Sequence, residues 1–115
     1  MVSQPRRGEV YWADLEPVIG SEQGGRRPVV VVQNDIGNQH SSTTIVVPLT
    51  SSLAKVWYRV NVQLPEGVLH KPSVAKCSQV RAIDMRRLVS GPVVRLDDET
   101  MTRINEALLV SLGLY

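Results

Sequence analysis

Gly20-Ser21-Glu22-Gln23-Gly24-Gly25-Arg26-Arg27-Pro28 runs directly into Val29-Val30-Val31-Val32, and the reading of this stretch decides the fold. Four consecutive β-branched residues, entered through a proline that has no N–H to lose, predict a short strand buried on both faces. The loop before it is polar and glycine-bearing, with a tip free to move and a rigid base. Arg26 and Arg27 stand where loop meets strand. Fixed guanidinium groups beside a mobile loop suit an extended, anionic ligand.

Working outward, Gln33-Asn34-Asp35 ends the strand, and Asn34 or Asp35 can cap a short helical turn that reaches His40. Upstream, alternation around Val10 and Trp12 predicts a first strand over about Gly8 to Asp14, broken by Pro17 and Gly20, with residues 1–7 as a poorly ordered polar tail. Downstream, Thr43 to Leu49 reads as a third strand that ends near Pro48, with Thr50-Ser51-Ser52 at its tip. Lys55 to Gln63 alternates, with Val56, Tyr58, Val60 and Val62 on one face and Trp57, Arg59, Asn61 and Gln63 on the other, which predicts a fourth strand. Pro65-Glu66-Gly67 is a turn. Ser73 to Ile83 holds one or two short strands and Asp84 to Arg87 a single helical turn. Leu88-Val89 and Val93-Val94 are extended, punctuated by Gly91-Pro92. Met101, Ile104, Leu108 and Leu112 recur at helical spacing. Asp97, Asp98 and Glu99 favour a helix start before them, and Gly113 a stop after them, so a helix is expected over Asp97 to Leu112. Five to seven short strands with one terminal helix predict a mainly β (α+β) fold, a small, strongly bent sheet or barrel.

The 115 residues fit one domain, 1–115, with the tail at 1–7. With no Phe and only 4% aromatic residues, the core must be built from Val, Leu and Ile. Neither a signal peptide nor a membrane-spanning run is visible. A single cysteine, Cys77, forms no internal disulfide and suits a reducing, cytoplasmic setting. The net charge of +2 is uneven: outside residues 97–106 the chain carries 12 basic and 7 acidic residues. A basic body is compatible with nucleic acid.

Gly20 and Gly25 have the spacing of a phosphate-binding P-loop, but Arg26 and Arg27 replace its Lys and Ser/Thr and a strand follows where a helix is needed. His40 and His70 have no His or Cys at ligand spacing and read as surface or turn residues; Cys77 reads as a small buried hydrophobe. Arg27 begins one strand and Thr50 finishes another. If those strands are antiparallel neighbours, a guanidinium and a hydroxyl meet at one sheet edge and form a phosphate site. Trp57 and Tyr58 could stack on bases, although they fall on opposite strand faces, so one of them belongs to the core.

Six segments together resemble the MazF/PemK family of toxin endoribonucleases. They are Arg7 to Leu15, Pro17 with Gly20 to Val29, Gln33 to Asn38, Val47 to Ser51, Gln79 to Asp84, and Leu96 to Glu99. The likeness spans essentially residues 6–113. It implies an SH3-like β-barrel of the MazF/Kid/CcdB type with a C-terminal helix, a homodimer, and a cognate MazE-like antitoxin. It also implies sequence-specific cleavage of single-stranded RNA (mRNA) with no metal or other cofactor. In that chemistry the 2′-hydroxyl attacks the adjacent phosphate and leaves 2′,3′-cyclic phosphate and 5′-hydroxyl ends, inhibiting translation and growth. Carried over by position, Arg27 and Thr50 are the catalytic pair. Ser21, Glu22 and Gln23 form the RNA-contacting loop, and Gln79 helps to bind RNA. Arg7, Arg26, Ser51 and Trp57 join the expected RNA contacts. A guanidinium hardly ever loses its proton, so Arg27 is expected chiefly to stabilise charge. Glu22 suits a base on charge grounds, though the resemblance assigns it only a loop contact. Arg26 adds a cation where relatives often have an uncharged residue, and Ser52 to Tyr58 match poorly, so the cleavage sequence is not read. Two other readings compete. A CcdB-like gyrase-binding toxin without nuclease activity acts through a C-terminal tryptophan, yet this chain has none after Trp57. A bare SH3-like RNA-binding module would give Arg27 and Thr50 no special role.

Overall fold

The computed structural model describes residues 4–53 and 58–114. Along the described chain run β1 (Glu9–Asp14), β2 (Arg26–Val31), α1 (Asp35–His40), β3 (Thr43–Thr50), β4 (Asn61–Gln63), β5 (Val74–Lys76), β6 (Arg81–Asp84), β7 (Leu88–Arg95) and α2 (Asp98–Ser111). Short 3₁₀ turns occupy Cys77–Gln79 and Met85–Arg87. The strands form an antiparallel sheet in the order β4-β5-β3-β2-β1-β7, with β6 also on β3. Among the described residues the ladder does not close, because β4 and β7 each pair on one side only. The mainly β fold with a C-terminal helix is as expected.

β3 is the hub. One edge pairs Val46–Pro48 with β2; the other is shared between β6, opposite Thr43–Val46, and β5, opposite Leu49 and Thr50. Pro48 sits where β3 changes partner on that second edge, so the strand passes through it to Thr50 instead of stopping. β2 is buried on both faces as its sequence predicts. Val29 and Val31 pack with Tyr11, Leu15 and Val46 on one side, while Val30 and Val32 pack with Val47, Leu49, Met101 and Ile104 on the other. Each fully buried valine contributes about 1.5–3 kcal/mol relative to an exposed one.

Both helices are capped as read. The Asn34 side chain accepts from the Gly37 N–H at 2.7 Å, and Asp97 accepts from the Thr100 N–H at 2.8 Å. Gly113 follows α2 with φ of 71°, the left-handed conformation that suits glycine.

Two expectations are corrected. The expected strand is not continuous to Gln63: β4 begins at Asn61, Tyr58 to Val60 form a turn in which the Asn61 N–H donates to Tyr58 O at 2.9 Å, and the rest of the expected stretch, Lys55 to Trp57, lies outside the described residues. The tail is structured from Gln4 onward: Pro5 is buried, and the Arg6 N–H donates to Glu9 Oε1 at 2.7 Å.

Candidate functional site

β2 and β3 are antiparallel, with Val31 opposite Val46 and Val29 opposite Pro48. Continued two residues, that register sets Arg27 against Thr50. The condition posed by the sequence is therefore met. Arg27 is half-buried and its fork is aimed by backbone: Nε donates to Gly24 O at 2.7 Å and Nη1 to Leu49 O at 3.4 Å. Among the described residues Nη2 has no hydrogen-bond partner. Thr50 is also half-buried. Its Oγ1 accepts from the Ser52 N–H at 3.2 Å, which leaves the hydroxyl proton to be given elsewhere.

Both residues line a cavity of about 470 Å³, shared with Arg26 and Ser51 from the expected set and with Trp12, His70, Lys71 and Ser73 from outside it. The cavity is cationic on Arg26, Arg27 and Lys71, and no carboxylate is among its described lining residues. Guanidinium, ammonium and hydroxyl donors converging on one concave space suit a phosphodiester.

The loop beside the cavity is tied at its neck. The Leu15 N–H donates to Gly25 O at 3.1 Å, and the Gly25 N–H to Glu16 Oε2 at 2.5 Å. Arg87 braces the same turn through the carbonyls of Asp14 and Glu16. A Cβ on Gly24 would fall 2.6 Å from Val18 Cγ2 and closer still to the Glu16 carboxylate, so this close approach needs glycine. Farther out, Glu22 Oε1 accepts from the Ile19 N–H at 2.6 Å, and the Gln23 N–H donates to Gln79 Oε1 at 3.4 Å. Gln23 thus rests against Gln79, and Ser21, Glu22, Gln23 and Gln79 are not in the cavity's described lining.

Arg7 is not brought to this place. Its backbone N–H donates to Asp35 Oδ1 at 2.7 Å, Nε to Val32 O at 2.9 Å, and Nη2 to Asn105 on α2. Trp57 lies outside the described residues. Trp12, His70, Lys71 and Ser73 were missed because nothing local marks them. Trp12 arrives by pairing with Pro28, and residues 70–73 arrive because Val74 pairs with Thr50.

Buried ionisable groups elsewhere stay neutral. Burial pushes the Cys77 thiol up to about 12. Burial, reinforced by the Glu9 carboxylate, pushes the Tyr11 phenol well above its ordinary value.

Residues 6–112 match the family model described as PemK-like, MazF-like toxin of type II toxin-antitoxin system. The chain is 47% identical over 111 residues, 95% of each protein, to endoribonuclease EndoA of Bacillus subtilis. Among solved structures it is similar to MazF of Deinococcus radiodurans, with TM-score 0.86, 25% identity, and 97% and 99% of the two chains covered. It is also similar to an endoribonuclease in complex with its cognate antitoxin from a mycobacterial species, with TM-score 0.80, 25% identity, and 96% and 97% covered.

Proposed function

The chain belongs to the PemK-like, MazF-like toxins of type II toxin–antitoxin systems, and on that footing we propose that it is an endoribonuclease cutting single-stranded RNA at a short sequence without a metal. One observation carries the chemistry. Arg27 is stapled through Nε and Nη1 to two backbone carbonyls, Nη2 has no partner among the described residues, and the side chain shares a cationic cavity with Thr50. The ribose O2′ attacks the adjacent phosphorus, the O2′–P bond forms, and the P–O5′ bond breaks. Negative charge accumulates on the non-bridging oxygens between those events. A preorganised guanidinium and a hydroxyl donor, aimed where that charge develops, lower the barrier without reorganising. The products are a 2′,3′-cyclic phosphate and a 5′-hydroxyl.

Arg26 and Ser51 line the path of the RNA backbone. Ser21, Glu22, Gln23 and Gln79 flank it, and Trp57 belongs to the same proposed contact set, from which Arg7 is omitted. The active form is a cytoplasmic homodimer, held inactive by a cognate antitoxin whose acidic segment competes for the basic groove. The mycobacterial relative solved with its antitoxin supports that partner.

The test is incubation with a long single-stranded RNA in excess EDTA, followed by mapping of cut sites and analysis of the new ends. Cuts at one short motif with cyclic phosphate ends are expected. Intact RNA, from protein shown to be folded, would contradict the reading and direct the next assay to gyrase.

A further inference from the structure

Attack by a ribose hydroxyl needs a proton acceptor. The described lining of the cavity contains a single side chain suited to that task. Guanidinium and ammonium groups, as on Arg26, Arg27 and Lys71, are donors, and the hydroxyls of Thr50, Ser51 and Ser73 are poor bases. His70 remains, and an imidazole is the side chain that accepts a proton readily near neutral pH. Its position is fixed by long-range pairing. Thr50 lies opposite Val74, so the segment just before Val74 runs past the end of β3 alongside Ser51. The segment is held on both sides of His70: Leu69 packs against the main core, the Ser73 hydroxyl donates to Lys71 O at 2.9 Å, and the Leu64 N–H donates to Ser73 O at 2.9 Å. Glu22, the other candidate acceptor, is not among the described residues that line the cavity, and its Oε1 accepts from the Ile19 N–H at 2.6 Å.

We infer that His70 is the general base of RNA cleavage, its imidazole taking the 2′-hydroxyl proton as O2′ attacks phosphorus. The O2′–H bond pair goes to the forming O2′–P bond and the proton goes to the imidazole. The P–O5′ pair goes to O5′, which takes a proton from water, and His70 then releases its own to solvent. The inference rests on the endoribonuclease reading. Among the described lining residues, Arg26 and Arg27 on β2 and Lys71 on the same turn are the charged groups that share the cavity with His70.

The experiment is a pH–rate profile of cleavage for the wild type, His70→Gln, His70→Asn and Glu22→Gln, with RNA affinity measured in parallel. His70 is exposed, so both substitutions are expected to leave the fold intact, which circular dichroism checks. A wild-type kcat that rises with unit slope on the acid side of the profile, as a single essential base requires, is expected. Both His70 variants should lose about 10²–10⁴-fold in kcat, as removal of a general base does. They should also lose that rising limb, with KM little changed. Wild-type kcat in the variants, a retained limb, or a loss confined to KM would overturn the assignment. Loss of the limb in Glu22→Gln would overturn it in favour of Glu22. A wild type that cuts no RNA contradicts the endoribonuclease reading, and His70 falls with it. Cutting by the wild type with the His70 variants unaffected overturns His70 alone.

Discussion

Arg7 and Arg27 are the same residue type, both half-buried and both donating through Nε to a backbone carbonyl, yet the fold gives them opposite tasks. Arg7 ends on its own protein: Nε reaches Val32 O and Nη2 reaches Asn105, joining the N-terminal segment to the end of β2 and to α2. Arg27 is only braced by its protein. Its two backbone contacts aim the fork, and among the described residues Nη2 has no partner; Arg27 and Thr50 line the same cavity. What separates the structural arginine from the site arginine is where the fork ends, on exposed Asn105 of α2 for Arg7 and in the lining of the cavity with Thr50 for Arg27.

The sharpest way to break this comparison is to truncate both. Arg27→Ala should lower kcat by at least about 10²–10³-fold, the effect of removing one preorganised donor, together with a modest loss of stability from the two backbone carbonyls it braces. Arg7→Ala should cost stability alone. Cleavage per folded molecule should persist, while stability falls by about 0.5–1.5 kcal/mol because the part-buried Val32 carbonyl loses its donor. Denaturant unfolding and single-turnover cleavage on both proteins decide it, and a swapped pattern would refute the assignment.

Next in size is Thr50→Val, which keeps the shape and removes the donor. A hydrogen bond to a charged group contributes about 1.5–3 kcal/mol, so a loss of about 10–100-fold in kcat is expected. An unchanged rate would remove Thr50 from the reaction and leave Arg27 as the charge stabiliser.

The smallest effect belongs to the region on the Arg7 side. Asp97 caps α2, and its hydrogen bond to Thr100 holds the carboxyl below its usual range. A depressed carboxylate stabilises the fold above the ordinary carboxylate range and loses that contribution as pH falls through it. Asp97→Ala should therefore melt a few degrees lower at pH 7, and the gap should narrow on acidification. A gap independent of pH would show that the cap does not act through its charge. Cleavage at pH 7 should not change.

How much of this was visible in the sequence follows from the range of each signal. β2, α1 and α2 are written locally, in the run Val29–Val32, in Asn34, and in the Asp97 cap with the Met101–Ile104 spacing. The meeting of Arg27 and Thr50 needed only that two adjacent strands be antiparallel. The strand expected over Lys55 to Gln63 was misread because alternation reports a face, not a partner. Among the described residues β4 pairs only with the three residues of β5, and the turn closed by the Asn61 N–H on Tyr58 O ends it. His70 and Lys71 look like turn residues because they are, and the β3–β5 pairing that delivers them to the cavity leaves no local trace. Where each arginine's fork ends is likewise set by distant acceptors, Asn105 for Arg7 and Leu49 for Arg27.

The central claim is tested most directly by following the arginine Nε–Hε resonances while the protein is titrated with its cleavable RNA carrying a single 2′-deoxy substitution at the scissile position, which removes the nucleophile but not the phosphate. The Arg27 resonance should shift with saturating dependence on RNA while the Arg7 resonance stays in place. Movement of Arg7 with Arg27 unchanged would contradict the account.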